Sequence, residues 1–304
     1  MSRGPLPLPA SLQRRIDAAL ARLAQPDGRA PDDFSQPAGE PALVAPDSVS
    51  WAVLKNPLVL FVGGVAAVVL ELAEPRVRTG VWEHTSFRER PLERLRRTAF
   101  ATAMSFYGPR SRAEAMIEQV ARLHDRIRGV TPDGEPYEAH DPELLAWVHA
   151  TAAFGFVEAH DRYVGPLAAD RRDRFYAEGT AIARRYGVVQ ASPSQAAVDA
   201  LFERMDQRLQ RSDIVLEFLA IMRRMPALPL PLRPLQRLLV RAAIDIVPAR
   251  VRERLGLSHA GLAPWQRPLV IRLARSAERL LLPSSPAVQS CRRLGLPDDY
   301  LYPK

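Results

Sequence analysis

Apolar residues recur every three to four positions through most of the chain, the spacing that gathers them on one face of an α-helix. The clearest stretches are Ser11 to Leu23, an amphipathic segment, and Pro57 to Leu70, an uninterrupted apolar run between Asn56 and Glu71. Pro91 at a first-turn position opens a helix running to about Phe106, which Gly108-Pro109 stops. Ser111 with Glu114 three residues on reads as a capping box, and Met116, Ile117, Val120, Leu123, His124 and Ile127 then keep the helical period until Gly129. Asp141-Pro142-Glu143 supplies an N-cap, a proline at the first helical position and an acid in the first turn, ahead of a helix from Leu144 to about His160. Thr131 to His140, between these two, reads as a turn-rich loop. Further helices are expected near 168–186, 194–225, 234–243, 249–255 and 265–282. Alternating strand patterns are scarce and no internal repeat is visible, so the predicted fold class is all-α, an irregular, globin-like helical bundle.

The run Pro57 to Leu70 is shorter than the ~20 apolar residues a bilayer span needs. It therefore reads as a buried helix, with Gly63 and Gly64 letting a neighbour approach its backbone, and no integral membrane span is expected. Residues 1–47 form a proline-rich lead with one short helix and a linker from Gln25 to Pro46, and residues 48–290 a single domain. Pro226 to Pro234, four prolines in nine residues, is a rigid break within that domain, and 291–304 is a tail. Met1 to Pro9 lacks a charged leader followed by an apolar stretch, which predicts a cytoplasmic protein without a secretory signal.

At 304 residues and 47% hydrophobic composition the chain can bury a sizeable core. Its net charge of +8 comes almost wholly from arginine, since Lys55 and Lys304 are the two lysines. The arginines recur at helical spacing among leucines and acids rather than in a dense block, which argues against nucleic-acid binding. One cysteine, Cys291, excludes an internal disulfide and any cysteine-built zinc or iron–sulfur site within a monomer. Oligomeric state is left open by all of this.

Several enzyme classes lose their signatures: there is no HExxH, no phosphate loop ending in Gly-Lys-Ser/Thr, no GxGxxG after a strand and no GxSxG. Six histidines remain, His84, His124, His140, His149, His160 and His259. On the helix from Pro91, Leu92, Leu95, Ala99, Thr102 and Phe106 make the expected core stripe, while Arg94, Thr98, Ala101 and Ser105 line an adjoining strip of small residues beneath one arginine. The planar fork of Arg94 can grip a carboxylate bidentately, and Thr98, four residues on, can donate a hydroxyl in the same direction. The same residues are equally readable as a surface ion-pairing arginine and a packing threonine. His124 sits among Val120, Leu123 and Ile127, where an imidazole is either a hydrogen-bonded structural residue or an axial ligand kept neutral by an apolar wall. An anion clamp beside such an imidazole is what a protein needs to hold a flat, charged-edged cofactor such as haem b. His149, mid-helix among small residues, suits a cofactor contact, a distal group or a buried donor. His84 is similarly open, and His140, His160 and His259 read as loop or surface residues.

Taken together, Gly63-Gly64, Leu72-Ala73-Glu74-Pro75, Gly80 to Phe87, Arg94 to Thr98, Phe106-Tyr107-Gly108, His124 with Gly129, Tyr137-Glu138-Ala139 and Asp141 to Ala150 resemble the family of MpaB-type proteins and latex-clearing rubber oxygenases. The likeness is closest over 48–165 and continues more loosely through Pro248 to Leu257 and Leu282-Pro283. It implies an all-α bundle enclosing a haem pocket, haem b with His124 as axial iron ligand, Arg94, Thr98 and His149 at the cofactor, and dioxygen as co-substrate. The implied activity is an oxidoreductase, an oxygenase acting on small apolar molecules, unsaturated ones included; the other reading is a haem- or apolar-ligand-binding sensor or carrier without turnover. Two positions depart from the pattern. Where latex-clearing enzymes carry an iron-capping lysine before the matched threonine, this chain has Arg97, which keeps its proton and cannot ligate, so Arg97, His149 and His84 are the distal-side candidates. The glutamate base of those enzymes falls, counting without gaps, on Arg78, which leaves Glu71, Glu74 and Glu83 as nearby carboxylates and rubber itself a poor substrate.

Overall fold

The computed structural model describes residues 4–24 and 32–302, so residues 25–31 of the expected linker lie outside the described residues. Among the described residues the chain is all-α apart from one hairpin. The order is α1 (Ala10–Ala24), α2 (Val49–Leu54), α3 (Pro57–Glu71), α4 (Pro75–His84), α5 (Pro91–Tyr107), α6 (Arg110–His124), β1 (Arg128–Val130) and β2 (Pro136–Glu138). It continues through α7 (Pro142–Tyr163), α8 (Ala169–Arg185), α9 (Gln195–Met205), α10 (Asp213–Arg224), α11 (Arg233–Ile246), α12 (Ala249–Arg254), α13 (Arg267–Ala277) and α14 (Pro286–Arg293).

The two central helices start where short-range capping chemistry says they should. Asn56 accepts from the Leu58 and Val59 amides to open α3, and Asp141 from Glu143 and Leu144 to open α7, each with proline at the next position. They cross at Gly63 and Gly155, so close that a Cβ on Gly63 would stand 2.7 Å from the Gly155 carbonyl oxygen. Around that crossing Val59, Val62, Val65, Val69 and Val157 are fully buried. From α7, Trp147 and Phe154 each pack a tilted ring against Phe202 of α9, with centroids 4.8 Å apart. No single described helix is long and apolar enough to cross a membrane, and α3 meets α4 at 111°.

Several expectations change on contact with the fold. The helix expected over 194–225 is two, α9 and α10, because Ser212 caps a new start and the Gln210 N–H is taken by the Ala73 carbonyl at 2.8 Å. The loop 131–140 contains half of an antiparallel hairpin in which Arg128 pairs with Glu138, turned at Gly134 with φ 86°. No capping box forms at Ser111. Its N–H donates to Glu40 at 2.6 Å, and Glu114 pairs with Arg185. Leu123 leaves the expected stripe and is 55% exposed. On α5 the buried positions are Met104, Ser105 and Tyr107, whereas Leu92, Leu95, Ala99, Thr102 and Phe106 are half-buried. Within the expected lead, Phe34, Ala42 and Val44 join the core, and within the expected tail Cys291 and Arg293 are buried.

Candidate functional site

The last residue of α3 is Glu71, the first charge after fifteen uncharged positions. Enclosure raises its pKa to about 7; the Arg94 guanidinium and the hydroxyl of buried Thr151 pull in the other direction but do not win. Arg94 comes from the first turns of α5. Enclosure depresses its pKa, Glu71 opposes that, and neighbouring Arg97 adds to it. Arg94 makes no side-chain hydrogen bond or ion pair among the described residues.

His124 closes α6 at its C-terminal end. Its pKa is lowered, first by burial and then by His140 and Arg94, which keeps the ring neutral at neutral pH. Its Nδ1 is buried without a hydrogen-bond partner. Glu71, Arg94 and His124 thus form a chain of electrostatic neighbours contributed by three helices. On α5 above them no residue from Pro91 to Ala103 is buried, so Leu92, Leu95 and Ala99 present a half-open apolar face.

Other expected site residues lie elsewhere or face other ways. Thr98 is exposed, and its hydroxyl donates back to the Arg94 carbonyl at 3.0 Å. Arg97 turns outward and pairs with Glu93. His149 is enclosed against α8, its Cε1 3.4 Å from where Gly179 would carry a Cβ, and burial alone lowers its pKa to about 4. His84 Nε2 lies 3.2 Å from the Tyr137 hydroxyl, which donates to Glu83 at 3.1 Å. Of the carboxylates left open, Glu83 is therefore engaged by Tyr137, and Glu74 caps α4 and binds Arg76 at 2.8 Å. Arg78 donates to the Leu72 carbonyl at 3.3 Å. Glu71 alone of the three faces Arg94.

Of the histidines read as loop or surface residues, His140 does lie in a loop with its side chain 39% exposed, yet it reaches His124, and His160 stands on a helix instead. His140 brings its ring centroid to 6.0 Å from that of His124, edge to face, and its Nε2 meets Asp125 at 2.8 Å. The signal was present: Asp133-Gly134 is a hairpin turn, and folding the strand back returns His140 beside Asp125. His160, on α7, is enclosed with Nδ1 unpartnered. Among the described residues no group of three or more His, Cys, Asp or Glu side chains converges as for a bare metal ion.

The comparisons with known proteins fall on the same region. The family described as ER-bound oxygenase mpaB/B'/Rubber oxygenase, catalytic domain, matches residues 51–280, a span that contains Glu71, Arg94 and His124. No curated protein and no solved structure was found to match the chain. With the match covering more than half its length, the chain belongs to the MpaB and rubber oxygenase family and carries that family's oxygenase catalytic domain.

Proposed function

We propose that the protein is a haem b-dependent oxygenase that uses dioxygen on an apolar small molecule, with His124 as axial iron ligand and Arg94 at the cofactor's acidic edge. The residues fit such a group. An imidazole whose buried Nδ1 has no hydrogen-bond partner and a half-buried guanidinium that makes no side-chain hydrogen bond among the described residues are the groups a porphyrin with its carboxylate arms requires, and a porphyrin iron needs as little as one ligand from the chain. When bound, haem b supplies the redox-active iron that dioxygen chemistry needs.

The chain's own part is electrostatic. Desolvation keeps the His124 lone pair free at neutral pH, while Arg94 remains a cation and holds the acidic edge. Glu71, titrating near 7, exchanges a proton at its carboxyl under working conditions, where an ordinary glutamate would be ionised throughout. His149, neutral and packed on α8, shapes the wall. The observation that carries the reading is the enclosed Glu71–Arg94–His124 set, one member of which is poised near neutrality.

The test is a visible spectrum of the purified protein with hemin titration, followed by oxygen consumption with a reductant and a panel of apolar unsaturated substrates. Expected are a Soret band lost in His124→Ala and turnover reduced about a hundredfold in Glu71→Gln at full haem load. A protein that stays colourless and gains no Soret band with hemin overturns the proposal. The runner-up, a haem or apolar-ligand binder without turnover, draws on Arg97, whose pairing with Glu93 holds it away from the site; oxygen consumption absent at full haem load would establish it.

A further inference from the structure

Between Glu217 and Asp245 the chain carries five arginines and neither an acid nor a lysine. Four of them bracket one turn. Arg223 and Arg224 end α10, and Arg233 and Arg237 lie in the first two turns of α11. The loop between presents Leu230 at 71% and Leu232 at 48% exposure, along with exposed Pro226, Pro229 and Pro231. The loop is pinned: buried Gln236 donates to the Met222 carbonyl at 2.7 Å and the Met225 carbonyl at 2.8 Å, and accepts from the Leu228 N–H at 3.2 Å. The leucines therefore protrude from a preset scaffold stiffened by proline.

None of Arg223, Arg224, Arg233 and Arg237 makes a side-chain hydrogen bond or ion pair among the described residues, and Arg233 Nε is buried without a partner. Several arginines elsewhere are matched, as Arg88 is by Glu217, Arg172 by Glu158 and Asp161, and Arg292 by Asp298; others, such as Arg126, Arg171 and Arg272, have no such match among the described residues, so what sets this turn apart is four arginines gathered around protruding leucines with no acid between Glu217 and Asp245. Uncompensated positive charge around protruding aliphatic side chains is the composition of a surface that meets anionic lipid, phosphates drawing the arginines while the leucines enter the acyl boundary. We propose that Pro226 to Leu232 is a docking loop for an anionic phospholipid surface, inserting Leu230 and Leu232 with Arg224, Arg233 and Arg237 against lipid phosphates. A protruding loop suits a deformable headgroup layer, whereas a protein partner would have to offer a matching groove.

The experiment is flotation of the full chain with vesicles of phosphatidylcholine alone or with roughly a third phosphatidylserine, at low and high salt. Expected is association with the anionic vesicles that fades at high salt. It should weaken at least about tenfold in Leu230→Ser/Leu232→Ser and in Arg224→Gln/Arg237→Gln, since each arginine is worth about fivefold at such a surface. All four side chains are exposed, so thermal melting should show the variants folded. Val189→Ser, which removes an 80% exposed apolar residue between α8 and α9, should bind as the parent does. The proposal is overturned by absence of flotation at low salt or by undiminished binding of the leucine variant. It is equally overturned by self-association in sedimentation that the leucine pair abolishes, which would assign the loop to a second copy. None of these readouts depends on haem.

Discussion

Where α3 crosses α7, two glycines strip away side chains until the backbones touch, and the valines around them are fully buried. Where α5 lies on α6, every apolar residue from Pro91 to Ala103 is only half-buried, and the Glu71 carboxyl, Arg94 guanidinium and His124 imidazole sit half-buried in surroundings that shift their protonation. Drawing polar groups partly out of water opposes folding, and such an arrangement persists only when the rest of the molecule over-determines it. The crossing is what does so here. Stability is concentrated in one region, which leaves the other free to hold groups in states water would not permit.

The sharpest way to break that division is Gly155→Ala. Its methyl meets the Gly63 backbone, which cannot step aside, so unfolding free energy should fall by about 3 kcal/mol in chemical denaturation. Gly64→Ala is the control one residue from the crossing: its Cβ meets nothing within 4 Å, and alanine should stabilise the helix by about 0.5–1 kcal/mol. Equal losses in both would show that the close approach is not what holds the helices.

On the other side of the comparison, Glu71 has a folded-state pKa raised from 4.5 to about 7, so the folded state binds more protons across that window and stability falls as pH rises through it. Glu71→Gln removes the ionisation. Relative to the parent, the variant should gain about 2–3 kcal/mol between pH 5 and pH 8, while the parent's turnover climbs through pH 7. A stability difference independent of pH would mean that Glu71 is an ordinary solvated carboxylate. The smallest effect belongs to Arg97→Ala, whose exposed pair with Glu93 should leave the melting temperature unchanged and any Soret band in place.

Helix starts were legible because capping is local: Asn56 and Asp141 act on amides two and three residues away. What the chain hid was decided at a distance. Residues 206–212 contain neither glycine nor proline to mark a stop, yet the helix breaks there, where Gln210 finds a carbonyl in another part of the fold. The capping box at Ser111 failed for the same reason, its amide claimed by Glu40. On α5 both Leu92–Phe106 and Met104–Tyr107 are apolar, and periodicity alone cannot say which face the core will take. At the site, Arg94 and His124 were readable as a candidate pair from residue type and resemblance. Glu71 was readable only as one of three carboxylates, because gapless counting from Arg94 ends on Arg78, and it takes the fold to engage Glu74 with the α4 cap and Arg76, Glu83 with Tyr137, and leave Glu71 to Arg94.

Arg293 is 2% exposed and donates to the carbonyls of Phe34, Glu40 and Tyr107. Its partner Phe34 is synthesised 259 residues earlier. The Phe34 carbonyl therefore waits through the synthesis of the 259 residues that separate it from its donor, so this closure can only follow the making of the helices between them rather than accompany it.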